Sequence, residues 1–207
     1  MPVSRRFDDP FYSLENGLAE TRHVFLAGNG LPARFRPGFH IAELGFGTGL
    51  NLVAAALAWE AAGIPGALTF TSFEAFPLAG GDIRAALSAF PEAAPFAGAI
   101  AAALDTDGRI ETPRLSARII AGDARTTVPA WDGMADAWFL DGFAPARNPE
   151  LWEASLLQAV ARHTAPGGTC ATYSAAGAVR AALAEAGFAV ARLPGYGRKR
   201  HMTRGSL

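Results

Sequence analysis

Cysteine is nearly absent: the 207 residues contain one, Cys170. No disulfide can close within the chain, which points to a reducing compartment. Cys170 lies in an apolar run and reads as a small buried hydrophobe rather than a nucleophile. An excess of either charge is also missing. The 18 Lys and Arg against 19 Asp and Glu leave a formal net charge of −1. The whole chain therefore gives no electrostatic case for nucleic acid, and any such case must rest on local clustering. No apolar run approaches the ~20 residues of a membrane span. The start, Met-Pro-Val-Ser-Arg-Arg-Phe-Asp-Asp, has no apolar segment behind its arginines. These absences give the expectation of a soluble, cytoplasmic protein with no membrane association. There is no internal repeat, low-complexity segment or linker. One domain over residues 1–207 is expected, with an N-terminal arm and helix over 1–38 and a sheet core over 39–207.

What is present is a globular composition, 50% hydrophobic and 18% charged. Strands are expected at 39–44, 68–74, 115–121, 136–140, 169–173 and 188–193, with the tail after Gly195 pairing back as a seventh. Helices are expected from Ser13 or Asn16 to about Ala27, and over 49–62, 80–90, 92–104, 125–130, 149–163 and 175–186. Asp105 to Thr112 reads as a polar connection. Alternating strands and helices imply an α/β fold with a mostly parallel seven-stranded sheet covered on both faces.

The chain is organised around Glu43-Leu-Gly-Phe-Gly-Thr-Gly-Leu-Asn51, between an apolar strand and an alanine-rich helix. Strand, glycine loop and helix open a nucleotide-binding α/β unit. The glycines at 45, 47 and 49 run G-x-G-x-G rather than the dinucleotide G-x-G-x-x-G, and Glu43 stands two residues before the first. Phe46, Thr48 and Asn51 complete the loop. Such a loop suits a smaller cationic ligand whose amino-acid end meets a carboxylate, namely S-adenosylmethionine. A purely structural glycine turn is the other reading.

In parallel sheets ligands bind at the carboxyl ends of the strands. Four strands here end in an acid: Glu43, Glu74, Asp123 and Asp141. Buried and unpaired acids are costly, and a shared polar ligand would satisfy several. Glu74 is placed to accept from two ribose hydroxyls. Asp123 is placed to meet the adenine amino group, with the Ala124 backbone beside it. A helix cap is the alternative for Asp123.

Asp141-Gly-Phe-Ala-Pro-Ala-Arg-Asn-Pro149 follows strand four. Methyl transfer needs alignment and a free lone pair on the acceptor. An amine acceptor is mostly ammonium at pH 7, so a carboxylate at Asp141 could orient it and take its proton. A turn acid before glycine reads equally well. Pro145 and Pro149 restrict the loop. Phe143, Phe11, Tyr12 and Tyr173 could stack a base. Basic residues gather at Arg5-Arg6, Arg34 and Arg36, and Arg198, Lys199, Arg200 with Arg204. They could touch phosphates or form a solvated face.

These pieces resemble the methyltransferase part of the bacterial bifunctional enzymes that complete 5-methylaminomethyl-2-thiouridine in tRNA. The matching runs are Phe7-Asp-Asp, Asn16-Gly-Leu-x-Glu-Thr-Arg22, Phe46-Gly-Thr-Gly-Leu-Asn51, Ser72-Phe-Glu-x-Phe-Pro-Leu78, Asp136-Ala-Trp-Phe-Leu-Asp-Gly-Phe-Ala-Pro-Ala-Arg-Asn-Pro149, Pro166-Gly-Gly-Thr169 and Gly195-Tyr-Gly-Arg-Lys-Arg200. The resemblance implies a class I Rossmann-like fold with S-adenosyl-L-methionine as donor. The implied acceptor is the primary amine of 5-aminomethyl-(2-thio)uridine at the tRNA wobble position. It puts Asp141 on the catalytic-loop acid, and Glu43, Gly45, Phe46, Gly47, Thr48, Gly49, Asn51, Glu74, Asp123 and Ala124 on cofactor positions. Tyr12, Phe143, Pro145, Arg198, Lys199 and Arg200 are the expected substrate contacts. Where the family often has lysine after the strand-two glutamate, this chain has Ala75. With no second glycine fingerprint, no flavin (FAD) is implied, and no metal; the partners implied are tRNA and a separate flavin-dependent oxidase acting on the precursor. A small-molecule N- or O-methyltransferase and a binding-only module are the rival readings.

Overall fold

The computed structural model describes residues 17–207 and, before them, only the paired two-residue strands β1 (Val3–Ser4) and β2 (Asp9–Pro10). Phe11, Tyr12 and the expected caps Ser13 and Asn16 lie outside the described residues.

α1 (Gly17–Thr21) runs into a π-helical turn, Arg22–Leu26, and a 3₁₀ turn, Ala27–Asn29. Gly30, at φ 69°, stops it, as expected of a C-terminal glycine. β3 (His40–Leu44) then leads through the glycine loop into α2 (Leu50–Ala62). β4 (Leu68–Glu74) and α3 (Gly80–Leu87) follow. The helix expected over 92–104 splits into a 3₁₀ turn, Ala94–Phe96, and α4 (Ala97–Leu104). Pro91 and Pro95 have no N–H to donate, which interrupts the helical ladder here, and Phe96 N–H turns to Ala93 O at 3.0 Å in the 3₁₀ pattern.

The polar connection contains β5 (Arg109–Glu111), which pairs antiparallel with β6 (Leu115–Ala121). The sheet therefore has eight strands rather than seven. α5 (Ala124–Thr127), β7 (Ala135–Leu140), a 3₁₀ turn at Pro149–Trp152 and α6 (Ala154–Arg162) come next. The helix expected over 149–163 is broken at Glu153, which is extended at ψ 140°. β8 (Thr164–Thr172), α7 (Gly177–Glu185), β9 (Ala189–Pro194) and β10 (His201–Ser206) complete the chain.

The sheet order is β5-β6-β4-β3-β7-β8-β10-β9. β3 is central and pairs in parallel with β4 on one side and β7 on the other. The chain thus reverses its direction of winding beside β3, where crevices open at the carboxyl ends. Strand side chains alternate between two layers. Leu68 and Phe70 pack with α2, α3 and α4, while Phe73, Trp138 and Leu140 pack with α6 and α7. The tail strand β10 inserts antiparallel between β8 and β9. Among the described residues no helix is long and apolar enough to cross a membrane.

Candidate active site

The glycine loop joins the two central strands backbone to backbone. Gly45, at φ 84°, donates its N–H to Phe73 O at 2.9 Å. A Cβ on Gly45 would lie 2.2 Å from the Asp141 carbonyl oxygen. Asp141 in turn donates its N–H to Leu44 O at 3.0 Å. Only glycine permits both this φ and this approach. Gly49, at φ 80°, precedes the first turn of α2, and a Cβ there would meet Phe46 Cζ at 2.8 Å. Phe46 and Thr48 are buried within the loop.

Asn51, in the first turn of α2, links two acids. Its Nδ2 donates to Glu43 Oε1 at 2.8 Å and to Asp141 Oδ2 at 2.6 Å, while Thr21 Oγ1 donates to its Oδ1 at 2.9 Å. Both amide hydrogens are spent on carboxylates, which fixes the amide's orientation. Glu43 is fully buried, and its Oε2 accepts from Ser72 Oγ at 2.6 Å. Burial, helped by the nearby charges of Asp141 and Glu74, holds the Glu43 carboxyl well above its usual range against the pull of its donors. Asp141 is only half-buried. Desolvation pushes its pKa up to about 7, Glu20 and Glu74 add to this, and Asn51 and Lys199 oppose it.

Glu74 stands at the rim of the loop. Its Oε2 accepts from Gly47 N–H at 3.1 Å and its Oε1 from Phe76 N–H at 2.8 Å. Each oxygen keeps a lone pair for a further donor. Asp123 is exposed and caps α5, accepting from Arg125 N–H at 2.9 Å. Its carboxylate also pairs with Arg125 at 2.7 Å, and Arg125 bridges on to Glu153 at 3.0 Å. The hydrogen bonds from Arg125 hold Asp123 below the usual carboxylate range. The cap is therefore real, and Ala124, buried, opens the same short helix.

On the other side of Asp141, Gly142 is walled by Leu151, which a Cβ would meet at 2.2 Å. Trp152 Nε1 donates to Phe143 O at 2.9 Å, which draws the 3₁₀ turn onto this loop and accounts for the break before α6. Phe143 and Pro145 are half-buried in the loop. The Tyr173 hydroxyl donates to Gly142 O. Lys199 turns inward, with Nζ 3.8 Å from the Tyr173 ring centroid and 2.8 Å from Glu20 Oε1. Arg198 and Arg200 are exposed.

The basic residues do not form one patch. Arg36 pairs with Asp136 at 2.6 Å, at the amino end of β7, and Arg34 donates there to Thr169 Oγ1 at 2.6 Å and Gly167 O at 3.0 Å. The 195–200 turn is at the opposite, carboxyl end. Ser72, Thr21 and Glu20 were missed by sequence reasoning. Ser72 was the findable one: a hydroxyl two residues before the strand-end acid Glu74, lying opposite Glu43 in the parallel register. Thr21 and Glu20 reach the site only through tertiary packing of α1. Cys170, fully buried with its thiol pushed up to about 12 by burial, takes no part.

The cradle fits a cationic, hydroxyl-bearing ligand. Gly45 and Gly49 leave no room for a Cβ, Glu74 offers two acceptor oxygens, and the buried Glu43 lacks a cationic partner among the described residues. A family model described as S-adenosyl-L-methionine-dependent methyltransferase matches residues 79–207. The chain is 46% identical over 217 residues to the tRNA 5-methylaminomethyl-2-thiouridine biosynthesis bifunctional protein MnmC of Pseudomonas paraeruginosa, covering 99% of this chain and 33% of that one. Against the protein of the same name from Chromobacterium violaceum it is 43% identical over 220 residues, with the same coverage. The chain thus spans about a third of the length of the curated relatives it matches. Among solved structures, MNMC2 from Aquifex Aeolicus superposes with a TM-score of 0.78 at 27% identity, over 99% of this chain and 65% of that one.

Proposed function

The chain belongs to the S-adenosyl-L-methionine-dependent methyltransferases, and from that premise we propose that it methylates the primary amine of 5-aminomethyl-(2-thio)uridine at the tRNA wobble position, giving 5-methylaminomethyl-(2-thio)uridine. The observation that carries this reading is the half-buried Asp141 beside the glycine loop, with a proton affinity near neutrality. The names of the curated relatives point the same way.

When bound, S-adenosyl-L-methionine would supply an electrophilic methyl, the S–C bond breaking to leave a thioether sulfur as the acceptor nitrogen forms the new N–C bond. Glu43, Gly45, Phe46, Gly47, Thr48, Gly49 and Asn51 would hold its amino-acid end, Glu74 its ribose, and Asp123 with the Ala124 backbone its adenine. Because Arg125 engages the Asp123 carboxylate, the adenine contact would fall to the backbone of the α5 first turn and the carboxylate lone pairs that remain. Asp141, as carboxylate, accepts a hydrogen bond from the substrate ammonium, aligns it and takes its proton, freeing the lone pair. Asn51 holds that carboxylate in place through the 2.6 Å bond. Phe143 and Pro145 form the wall on which the uracil ring rests; Tyr12, the other expected contact, lies outside the described residues. Arg198 and Arg200, exposed at the same end of the sheet, meet tRNA phosphates. A separate flavin-dependent oxidase acting on the precursor, and a cytoplasmic location, belong to this proposal.

The test is transfer of labelled methyl into bulk tRNA from cells lacking the modification, in parallel with a panel of small amines and phenols. Label recovered in a methylaminomethyl-uridine nucleoside is expected. Label only in a small molecule would keep the family and discard the tRNA acceptor.

A further inference from the structure

The turn between β9 and β10 is rigid where Lys199 leaves it. Gly195 N–H donates to Arg200 O at 3.1 Å, and Lys199 N–H to Tyr196 O at 3.0 Å. A Cβ on Gly195 would lie 2.2 Å from the Lys199 carbonyl oxygen. The π-helical turn after α1 braces the same region through His23, whose ring lies 3.0 Å from Pro194 O and 5.6 Å from Tyr196. From this base the Lys199 side chain, half-exposed, reaches along the face of Tyr173 to Glu20. Its ammonium is clamped by the Glu20 carboxylate at 2.8 Å and by the face of Tyr173 at 3.8 Å. The Tyr173 hydroxyl closes the chain on the carbonyl of Gly142, next to Asp141.

We infer that Lys199 is a positioning residue for methyl transfer, its ammonium fixing the Asp141–Gly142 corner through Tyr173 and keeping Asp141 in its proton-accepting carboxylate form. The inference rests on the reading of Asp141 given above, and it removes Lys199 from the phosphate-contacting set. Three acids surround Asp141: Glu43 across Asn51, Glu74 from the end of β4 and Glu20 from α1. Lys199 is the cation among the described residues that opposes them. Burial and the like charges of Glu20 and Glu74 favour a proton on Asp141, and a protonated Asp141 cannot take one from the substrate. A tail cation is therefore needed at the site even if it never touches tRNA.

The experiment is a carbon-13 NMR titration of the Asp141 carboxyl in the full chain, the resonance being identified by its loss in D141N. Wild type, K199M and K199R are compared. Lys199 is half-exposed, so K199M should fold. The Asp141 midpoint is expected to rise by about 0.5 of a pH unit or more in K199M and to return towards wild type in K199R. Turnover of K199M on aminomethyl-uridine tRNA is expected to fall about three- to tenfold near neutrality and to recover at higher pH, with KM for tRNA little changed. An unmoved midpoint in K199M, or a loss confined to KM for tRNA at every pH, would overturn the inference. A midpoint that moves as stated in a protein that methylates no tRNA would leave Lys199 in place and refute the acceptor instead.

Discussion

The glycine-loop half of the site and the Asp141 half meet at the Asn51 amide and where Gly45 approaches the Asp141 carbonyl, yet they are assembled in opposite ways. The first is built by nine consecutive residues, Glu43 to Asn51, with Glu74 from the neighbouring strand. Its contacts are backbone approaches that only glycine allows. The second draws Glu20, Asp141, Tyr173 and Lys199 from four separate segments. Its contacts are side-chain ion pairs and ring faces, partly open to water. A binding cradle for a fixed ligand can be written locally. A site that must take a proton from a large substrate needs charges balanced from several directions, and the fold has to bring them together.

The comparison breaks most sharply at Gly45, which belongs to both halves. Gly45→Val forces a branched side chain against the Asp141 carbonyl at an unfavourable φ. Cofactor affinity by calorimetry should fall about 100-fold or more; affinity within about twofold of wild type would sever the link between loop and cofactor. Next comes Asp141→Asn, which should spare the glycine-loop half. Cofactor affinity should stay within a few-fold while turnover falls about 10²- to 10⁴-fold, and comparable loss of both would mean that Asp141 holds the cofactor instead. The pH dependence follows from the same group. Its folded pKa, about 7, is above the usual carboxylate value, so the ionised form is lost as pH falls through neutrality and turnover should fall with it. Stability carries the opposite sign. The folded protein binds that proton more tightly than the unfolded chain, so the contribution of Asp141 to stability is lost as pH rises towards 7. In Asp141→Asn that pH dependence should disappear from urea unfolding curves.

Asn51→Ala cuts the one amide the halves share. Glu43 keeps only Ser72, and Asp141 loses its 2.6 Å donor. A loss of about 1–3 kcal/mol in urea unfolding is expected, with both binding and turnover impaired; unchanged stability would mean the amide bridge is incidental. The smallest effect belongs to the outer rim. Arg198→Glu with Arg200→Glu should raise KM for tRNA about three- to tenfold, more at low salt, and leave cofactor affinity alone. No change in KM would place the tRNA backbone elsewhere.

The same contrast explains what the sequence disclosed. Five of the expected strands form within a residue or two, each a largely apolar run between glycine or polar stops, while β8 begins five residues early at Thr164 and the tail pairs back as β10. β5 escaped notice since Arg109, Ile110 and Glu111 carry one apolar residue, and its pairing depends on Gly108 pressing against Ile119 O. The breaks near Pro95 and at Glu153 have tertiary or proline causes that helical periodicity does not carry. In the site, Glu43, Asp141 and Glu74 converge as their strand-end positions implied. That Lys199 lies over Tyr173 and pairs with Glu20 was hidden, because a Gly-Arg-Lys-Arg run has the same letters whether its lysine meets phosphate or a tyrosine ring.

The most direct measurement is single-turnover methyl transfer to tRNA carrying 5-aminomethyl-uridine, followed across neutral pH for wild type and Asp141→Asn at saturating cofactor. Asp141 as proton acceptor requires a wild-type rate that falls below about pH 7 and a much slower Asp141→Asn enzyme that still binds cofactor. Equal rates in the two proteins, or no transfer to the aminomethyl group by a cofactor-bound wild type, would contradict it.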